Sequence, residues 1–138
     1  MRIWHYKLIP FLPKSQLLAQ WRELNNIFKK QDKHILINYV YEYPKDDLCI
    51  YANMVKGEMY KRGYKVNSME NYKSYFKELP TFCDNPYTPF KNHHNNEYLA
   101  ICYFNLKEKY IRGQKDFDIV TWNLLVTYVN NHLLEEIM

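Results

Sequence analysis

Residues 17–28 read LLAQWRELNNIF. At 100° per residue, Leu18, Trp21, Leu24 and Phe28 fall in one arc, and Ile27 lies at its edge. That spacing predicts an amphipathic helix. Arg22 and Glu23 fall outside the arc, on opposite flanks. Such a pair is either a solvated helix face or one wall of a cleft, with Glu23 lining it. The helix extends outward to about Lys14 on one side and Lys30 on the other, and KKQDK closes it with positive charge, which suits a helix C-terminus.

N-terminal to it, residues 1–13 carry Pro10 and Pro13 and are read as an extended arm. Trp4, Leu8, Ile9, Phe11 and Leu12 imply that the arm is packed. C-terminal to it, KHILINYVYEY at 33–43 has strand-like composition with a mixed period, so an extended packed segment and a true strand are both open. Pro44 ends that segment. A second helix is expected over about 46–62, with Asp46 and Asp47 in its first turn. Leu48, Tyr51, Ala52, Val55, Met59 and Tyr60 are at helical spacing, and Gly63 is placed as a C-cap. Residues 64–96 turn polar and contain Pro80, Pro86 and Pro89; they read as a long ordered loop with one short helix near 69–78. A third helix over about 96–111 turns Leu99, Cys102, Tyr103, Leu106 and Tyr110 inward. Asp116 is expected to cap a fourth, over roughly 117–136. FDIVTWNLLVTYV is apolar nearly all round, so this helix is expected to be central and most buried, with a strand as the alternative. The expected fold is mostly α: a single compact domain, residues 1–138, of about four helices, with an extended packed N-terminal arm and a long loop at 64–96.

Composition narrows the function classes. Hydrophobic residues make up 47% and charged residues 25%, ordinary for a globular protein. The formal charge of +4 permits a polyanionic partner without demanding one. Fourteen Tyr accompany abundant Asn, Lys and Ile, a bias that AT-rich codon usage produces, so they read as core packing before base stacking. Cys49, Cys83 and Cys102 are far apart and show no CxxC spacing; they read as reduced thiols of a cytoplasmic protein. The start MRIWHYKLIPF lacks the apolar run of a signal peptide, and no stretch reaches the roughly 18–20 apolar residues of a membrane span. With glycines only at 57, 63 and 113, a Gly-rich phosphate loop is excluded, and HExxH and EF-hand patterns are absent. His93-His94 has no acidic or Cys partner at ligand spacing, so neither a metal nor another cofactor is expected. Trp4, Trp21 and Trp122 read most simply as core.

The remaining chemistry rests on Glu23, Arg22, the arm and His34. LLAQWRELNNIF resembles the first-helix motif of the pyrimidine-dimer DNA glycosylases of the bacteriophage endonuclease V type, which reads Leu-x-Ala-Glu-Tyr-Arg-Glu-Leu and whose Glu is catalytic. The early Arg-Ile, YKRGYKV at 60–66 and the chain length are similar too. MRIWHYKLIPFLP followed by HILINYVYEY resembles more closely a small group of bacterial proteins of unassigned activity related to those glycosylases. The likeness covers about residues 1–66.

What the resemblance implies is a DNA glycosylase with abasic-site lyase activity, acting as a cytoplasmic monomer on damaged double-stranded DNA. Its nucleophile is a main-chain α-amine, and Glu23 is its catalytic carboxylate. The phage-type enzymes expose a Thr amine after Met removal. Here residue 2 is Arg, too bulky for that processing, so the implied amine is that of Met1. Arg2, Arg22, Asn26, Lys30 and His34 are the implied DNA contacts; Asn26 stands where the family has Arg, and an aromatic, basic tail is replaced by LLEEIM. The lesion is therefore left open between a pyrimidine dimer and another modified base. Two other readings of the same residues stay open: a non-catalytic nucleic-acid-binding module on the same scaffold, and a protein–protein interaction domain.

Overall fold

The computed structural model describes residues 2–79 and 88–137, the last five of these as backbone only. Among the described residues every regular element is helical. Five α-helices run in order: α1 (Lys14–Lys30), α2 (Lys45–Lys61), α3 (Met69–Tyr75), α4 (Asn96–Ile111) and α5 (Ile119–Ile137). Two 3₁₀ helices, Tyr6–Phe11 and Asn38–Glu42, lie before α1 and α2. The four long helices fall within about two residues of the bounds expected from spacing, and α3 is the short helix anticipated inside the 64–96 stretch.

Helices α1, α2 and α4 end where local chemistry says they should. Pro13 precedes α1, and Gln31 closes it in the left-handed region (φ 50°), its N–H donating to Ile27 O at 2.8 Å. After α2, Gly63 takes φ 79° and Tyr64 N–H reaches back to Met59 O at 2.8 Å. The same glycine-closed end recurs after α4, with Gly113 at φ 84° and Gln114 N–H donating to Lys109 O at 3.1 Å. A residue with a Cβ is disfavoured at those angles, which is why the two glycines mark the boundaries.

The core is built on α1. Leu17, Trp21, Leu24, Ile27 and Phe28 are buried against α2 and α3, α2 contributing Leu48, Tyr51, Ala52, Val55 and Met59. Burial of each such aliphatic side chain is worth about 1.5–3 kcal/mol. The 3₁₀ helix of the arm sits among α2, α4 and α5 and buries Leu8 and Ile9. Arg62, from the sequence YKRG, holds it there. Its guanidinium donates to Leu12 O at 2.7 Å and Pro10 O at 3.0 Å while its Nε pairs with Glu58 at 2.9 Å.

Several expectations are corrected. The arm is extended only in part: residues 6–11 coil into a 3₁₀ turn, begun by Lys7 N–H donating to His5 Nδ1 at 3.1 Å and accommodating Pro10. The 33–43 segment is neither strand nor extended. It turns at 35–37 and then forms a 3₁₀ helix, burying Ile37 and Val40 three residues apart while Ile35 stays 85% exposed. Helix α5 is not the central helix. Ile119, Val120 and Leu124 are more than half exposed, and the inward stripe is Leu125 and Val129, with Trp122 stacked on Tyr110 at 4.6 Å. An all-round apolar sequence cannot say which side finds a partner. Asp118, not Asp116, caps α5, accepting Thr121 N–H at 2.7 Å; Asp116 accepts Ser15 N–H at 2.7 Å and ties this corner to the start of α1. Tyr60 is exposed, one position beyond the buried stripe. Cys49 is disulfide-bonded, against the expectation of reduced thiols, whereas Cys102 is a free buried thiol. Wide spacing in sequence says nothing about distance in space. The expectations placed on Pro80, Cys83 and Pro86 lie outside the described residues.

Candidate functional site

The helical phase of α1 sets Glu23 at the border between its buried and exposed faces, where the carboxylate is half-buried. Its Oε2 accepts the main-chain N–H of Arg2 at 3.3 Å and the Gln20 side-chain amide at 3.4 Å. The start of the chain and the expected catalytic carboxylate are thus neighbours. Met1 itself lies outside the described residues. Burial raises the Glu23 pKa above its ordinary value of 4.5; the Arg2 N–H, the charge of the amino terminus, Arg22 and His34 oppose that rise, and burial outweighs them. The carboxyl group therefore holds its proton more tightly than a surface glutamate does.

Beside Glu23 opens a cleft of about 810 Å³ between α1 and the segment that follows α2. Trp21 fixes the far wall, its indole N–H donating to Asn67 O at 2.8 Å. The charged groups lining the cleft are Lys14, Arg22, Glu23, Lys29 and Lys65. Four are cations and one is the carboxylate, so the cleft favours an anionic ligand. Tyr64 offers an aromatic wall, with the Lys14 ammonium 5.1 Å from its ring centroid.

The expected DNA contacts separate into two groups. Arg22 and Asn26 line the cleft with Glu23. His34 is exposed and close enough to Glu23 for its charge to act on the carboxyl group. Its turn is closed by Leu36 N–H donating to His34 Nδ1 at 3.2 Å and Ile37 N–H to His34 O at 2.8 Å. Lys30 is exposed but does not line the cleft; Lys29 does. Arg2 presents its main chain to Glu23 and turns its side chain the other way, the guanidinium carbon lying 5.8 Å from the Trp4 ring and 6.0 Å from the Tyr98 ring.

Sequence reasoning missed Gln20, Tyr51, Lys14 and Lys65. Gln20 and Tyr51 are fully buried polar side chains. Gln20 Oε1 accepts Trp4 N–H at 2.9 Å, and the Tyr51 hydroxyl lies 2.6 Å from Trp4 O and 2.9 Å from that same Oε1. A glutamine within an otherwise apolar helix face was the available signal. Lys65 sits inside the quoted YKRGYKV, so its neighbourhood was marked although its role was not.

The histidine pair does not act as a unit. His94 is buried and neutral, its pKa lowered to about 2 by burial and by the neighbouring His5 and His93. Its Nδ1 accepts Tyr6 N–H at 3.2 Å, which leaves the proton on Nε2, 2.7 Å from the Tyr39 hydroxyl. His93 instead meets the Tyr43 hydroxyl at 2.6 Å and Glu42 at 3.5 Å. Among the described residues no group of three His, Cys, Asp or Glu side chains is placed to hold a metal ion, and no helix is long and apolar enough to cross a membrane.

A small helical scaffold, a proton-retentive carboxylate beside the first residues of the chain and a cationic cleft describe a class of protein built to meet an anionic ligand. Residues 1–71 match the family model for pyrimidine dimer DNA glycosylase, and the chain belongs to that family. No curated protein matches it, and no solved structure does. The match stops within α3, so the cleft lies inside it, and α4 and α5 lie beyond it.

Proposed function

We propose that this protein is a DNA-repair N-glycosylase with abasic-site lyase activity, acting as a monomer on damaged double-stranded DNA that carries a pyrimidine dimer or another modified base. The observation that supports the reading is the meeting of Arg2 N–H with the half-buried Glu23 carboxylate at the rim of the cationic cleft. Family membership supplies the substrate class.

The chemistry follows from the groups present. An α-amine titrates near pKa 7.7–8.0, so roughly a tenth or more is neutral at pH 7, whereas a lysine is neutral in under ~0.1% of molecules. The Met1 amine is therefore the better nucleophile. Its lone pair attacks the sugar C1′, the C1′–base bond breaks, and the departing base carries away the bonding pair. The amine loses one proton, and opening of the sugar ring, with a proton delivered to the departing ring oxygen, leaves a protonated C1′=N Schiff base. That iminium acidifies the C2′–H; loss of this proton sends the electron pair into a C1′-conjugated double bond and expels the 3′ phosphate. Glu23, carrying a proton more readily than a surface glutamate, hands one to the ring oxygen and as a carboxylate takes one back. Arg22 holds a phosphate, which a guanidinium fork fits, and Asn26, Lys29, Lys30, Lys65 and His34 extend the footprint.

The test is borohydride reduction of the protein mixed with duplex DNA containing an abasic site or a pyrimidine dimer. A covalent protein–DNA adduct is expected, and acetylation of the α-amine or an N-terminal extension abolishes it. Undiminished strand cleavage by protein with a blocked amino terminus overturns the reading. Salt-dependent binding without an adduct assigns the chain as a non-catalytic nucleic-acid-binding module.

A further inference from the structure

Residues 2–5 precede the 3₁₀ turn and enter the core with no strand beside them among the described residues. Their main-chain groups, once buried, need partners that a sheet would otherwise supply. Side chains supply them instead, each from a different element. Tyr98, on α4, donates its hydroxyl to Ile3 O at 2.6 Å. Gln20, on α1, takes Trp4 N–H at 2.9 Å. Tyr51, on α2, lies 2.6 Å from Trp4 O. His94, just before α4, takes Tyr6 N–H at 3.2 Å. Tyr98 and His94 lie outside the residues that the family model matches.

Apolar packing alone would hold such an arm against the core but would not fix its position along its own axis. Directional bonds to consecutive residues do. A slip of one residue moves the chain by about 3.3 Å, the rise of an extended strand, and would carry the Arg2 nitrogen out of reach of Glu23. We propose that Gln20, Tyr51 and Tyr98 are positioning residues that fix the register of the amino-terminal arm and thereby aim the chain's amine at the substrate sugar beside Glu23. Gln20 couples the two halves of the site directly, since its carbonyl holds Trp4 while its amide nitrogen holds Glu23 Oε2 at 3.4 Å. Tyr98 extends the control to α4.

The inference rests on the reading under Proposed function, and its test separates the two. The rate of borohydride-trappable adduct formation is measured under single turnover with saturating abasic-site duplex, alongside the Kd for the same duplex. Tyr98→Phe, which deletes only the oxygen facing Ile3, is expected to slow trapping by about tenfold or more, as misplacement of a reacting group does, while the Kd changes by less than about twofold. Tyr51→Phe reproduces the loss from the other side of the arm. Leu106→Ala, a core variant about two turns along α4 from Tyr98, supplies the control: compared at equal thermal stability, it traps at the wild-type rate. Wild-type trapping by both tyrosine variants, or a loss no greater than that of Leu106→Ala, overturns the positioning role and leaves the glycosylase reading standing. Absence of any adduct with wild-type protein overturns both.

Discussion

The main-chain nitrogen of Arg2 stands 3.3 Å from Glu23 Oε2, across 21 residues of sequence. The contact places the start of the chain and a carboxylate of raised proton affinity at one rim of a cleft whose other charges are positive.

Glu23→Gln keeps the shape of the side chain and removes its acid–base capacity. Base release and adduct formation are expected to fall by about 10²–10⁴-fold, the range for loss of a positioned proton-transfer group. Single-turnover kinetics on lesion-containing duplex measure the fall, with circular dichroism to verify the fold. Retention of more than a tenth of the wild-type rate would remove Glu23 from the mechanism.

The same substitution has a signature in stability. The folded-state pKa of Glu23 is raised, so between 4.5 and that higher value the native state binds more protons than the unfolded chain. Stability contributed by this group is present below pH 4.5 and is lost as pH rises through the folded-state pKa. Glu23→Gln removes this term. Relative to wild type, its melting temperature is expected to rise on going from pH 4 to pH 7, and thermal denaturation at the two pH values measures the change. A wild-type-minus-variant difference that is flat with pH contradicts the raised affinity.

His5 and His94 run in the opposite sense. Both are buried, stacked with ring centroids 5.1 Å apart, and held neutral, with pKa values lowered to about 4 and about 2 chiefly by burial. Tyr6, Tyr39, Tyr51 and Tyr98 surround His94 together with His93. The unfolded chain binds protons at these histidines below pH 6.5 and the native state does not. Their contribution is complete above that pH and is lost as pH falls. Each histidine adds a slope of up to about 1.4 kcal/mol per pH unit to the acid limb. His94→Gln, able to accept from Tyr6 and donate to Tyr39, is expected to flatten urea-unfolding free energies between pH 6 and pH 4 by about one proton. An unchanged slope would mean that His94 titrates freely in the folded protein.

The cationic wall predicts a salt effect. Lys29→Ala and Lys65→Ala each remove one cleft cation. If each meets a phosphate, the slope of log K against log salt for duplex DNA should shrink by about 0.9 per substitution, and binding should weaken on damaged and undamaged duplex alike. Fluorescence anisotropy across a salt series measures it. Slopes equal to wild type would place the DNA elsewhere on the surface.

Periodicity and punctuation determined most of the secondary structure. The 3.6-residue spacing of Trp21, Leu24 and Phe28 and the glycines at 63 and 113 are local signals, and local signals survive in a linear text, whereas the choice of Leu17 over Leu18 as the fully buried leucine was made by packing. The family-like run around Arg22 and Glu23 is equally local, and it lies within residues 1–71, the stretch that matches the family model. Where spacing was ambiguous, only the packed chain could decide. FDIVTWNLLVTYV is apolar all round, and the sides of α5 that stay exposed are those to which no other described element comes. The sequence placed the cap of α5 at Asp116, and the approach of Ser15 takes that carboxylate, leaving Asp118 to accept Thr121 N–H. The bonds from Gln20, Tyr51 and Tyr98 to the arm join residues 16, 47 and 95 positions apart, separations that no window along the chain spans. Helix propensity is a property of neighbours in sequence, whereas burial and hydrogen-bond satisfaction are properties of neighbours in space, and the site is made of the second kind.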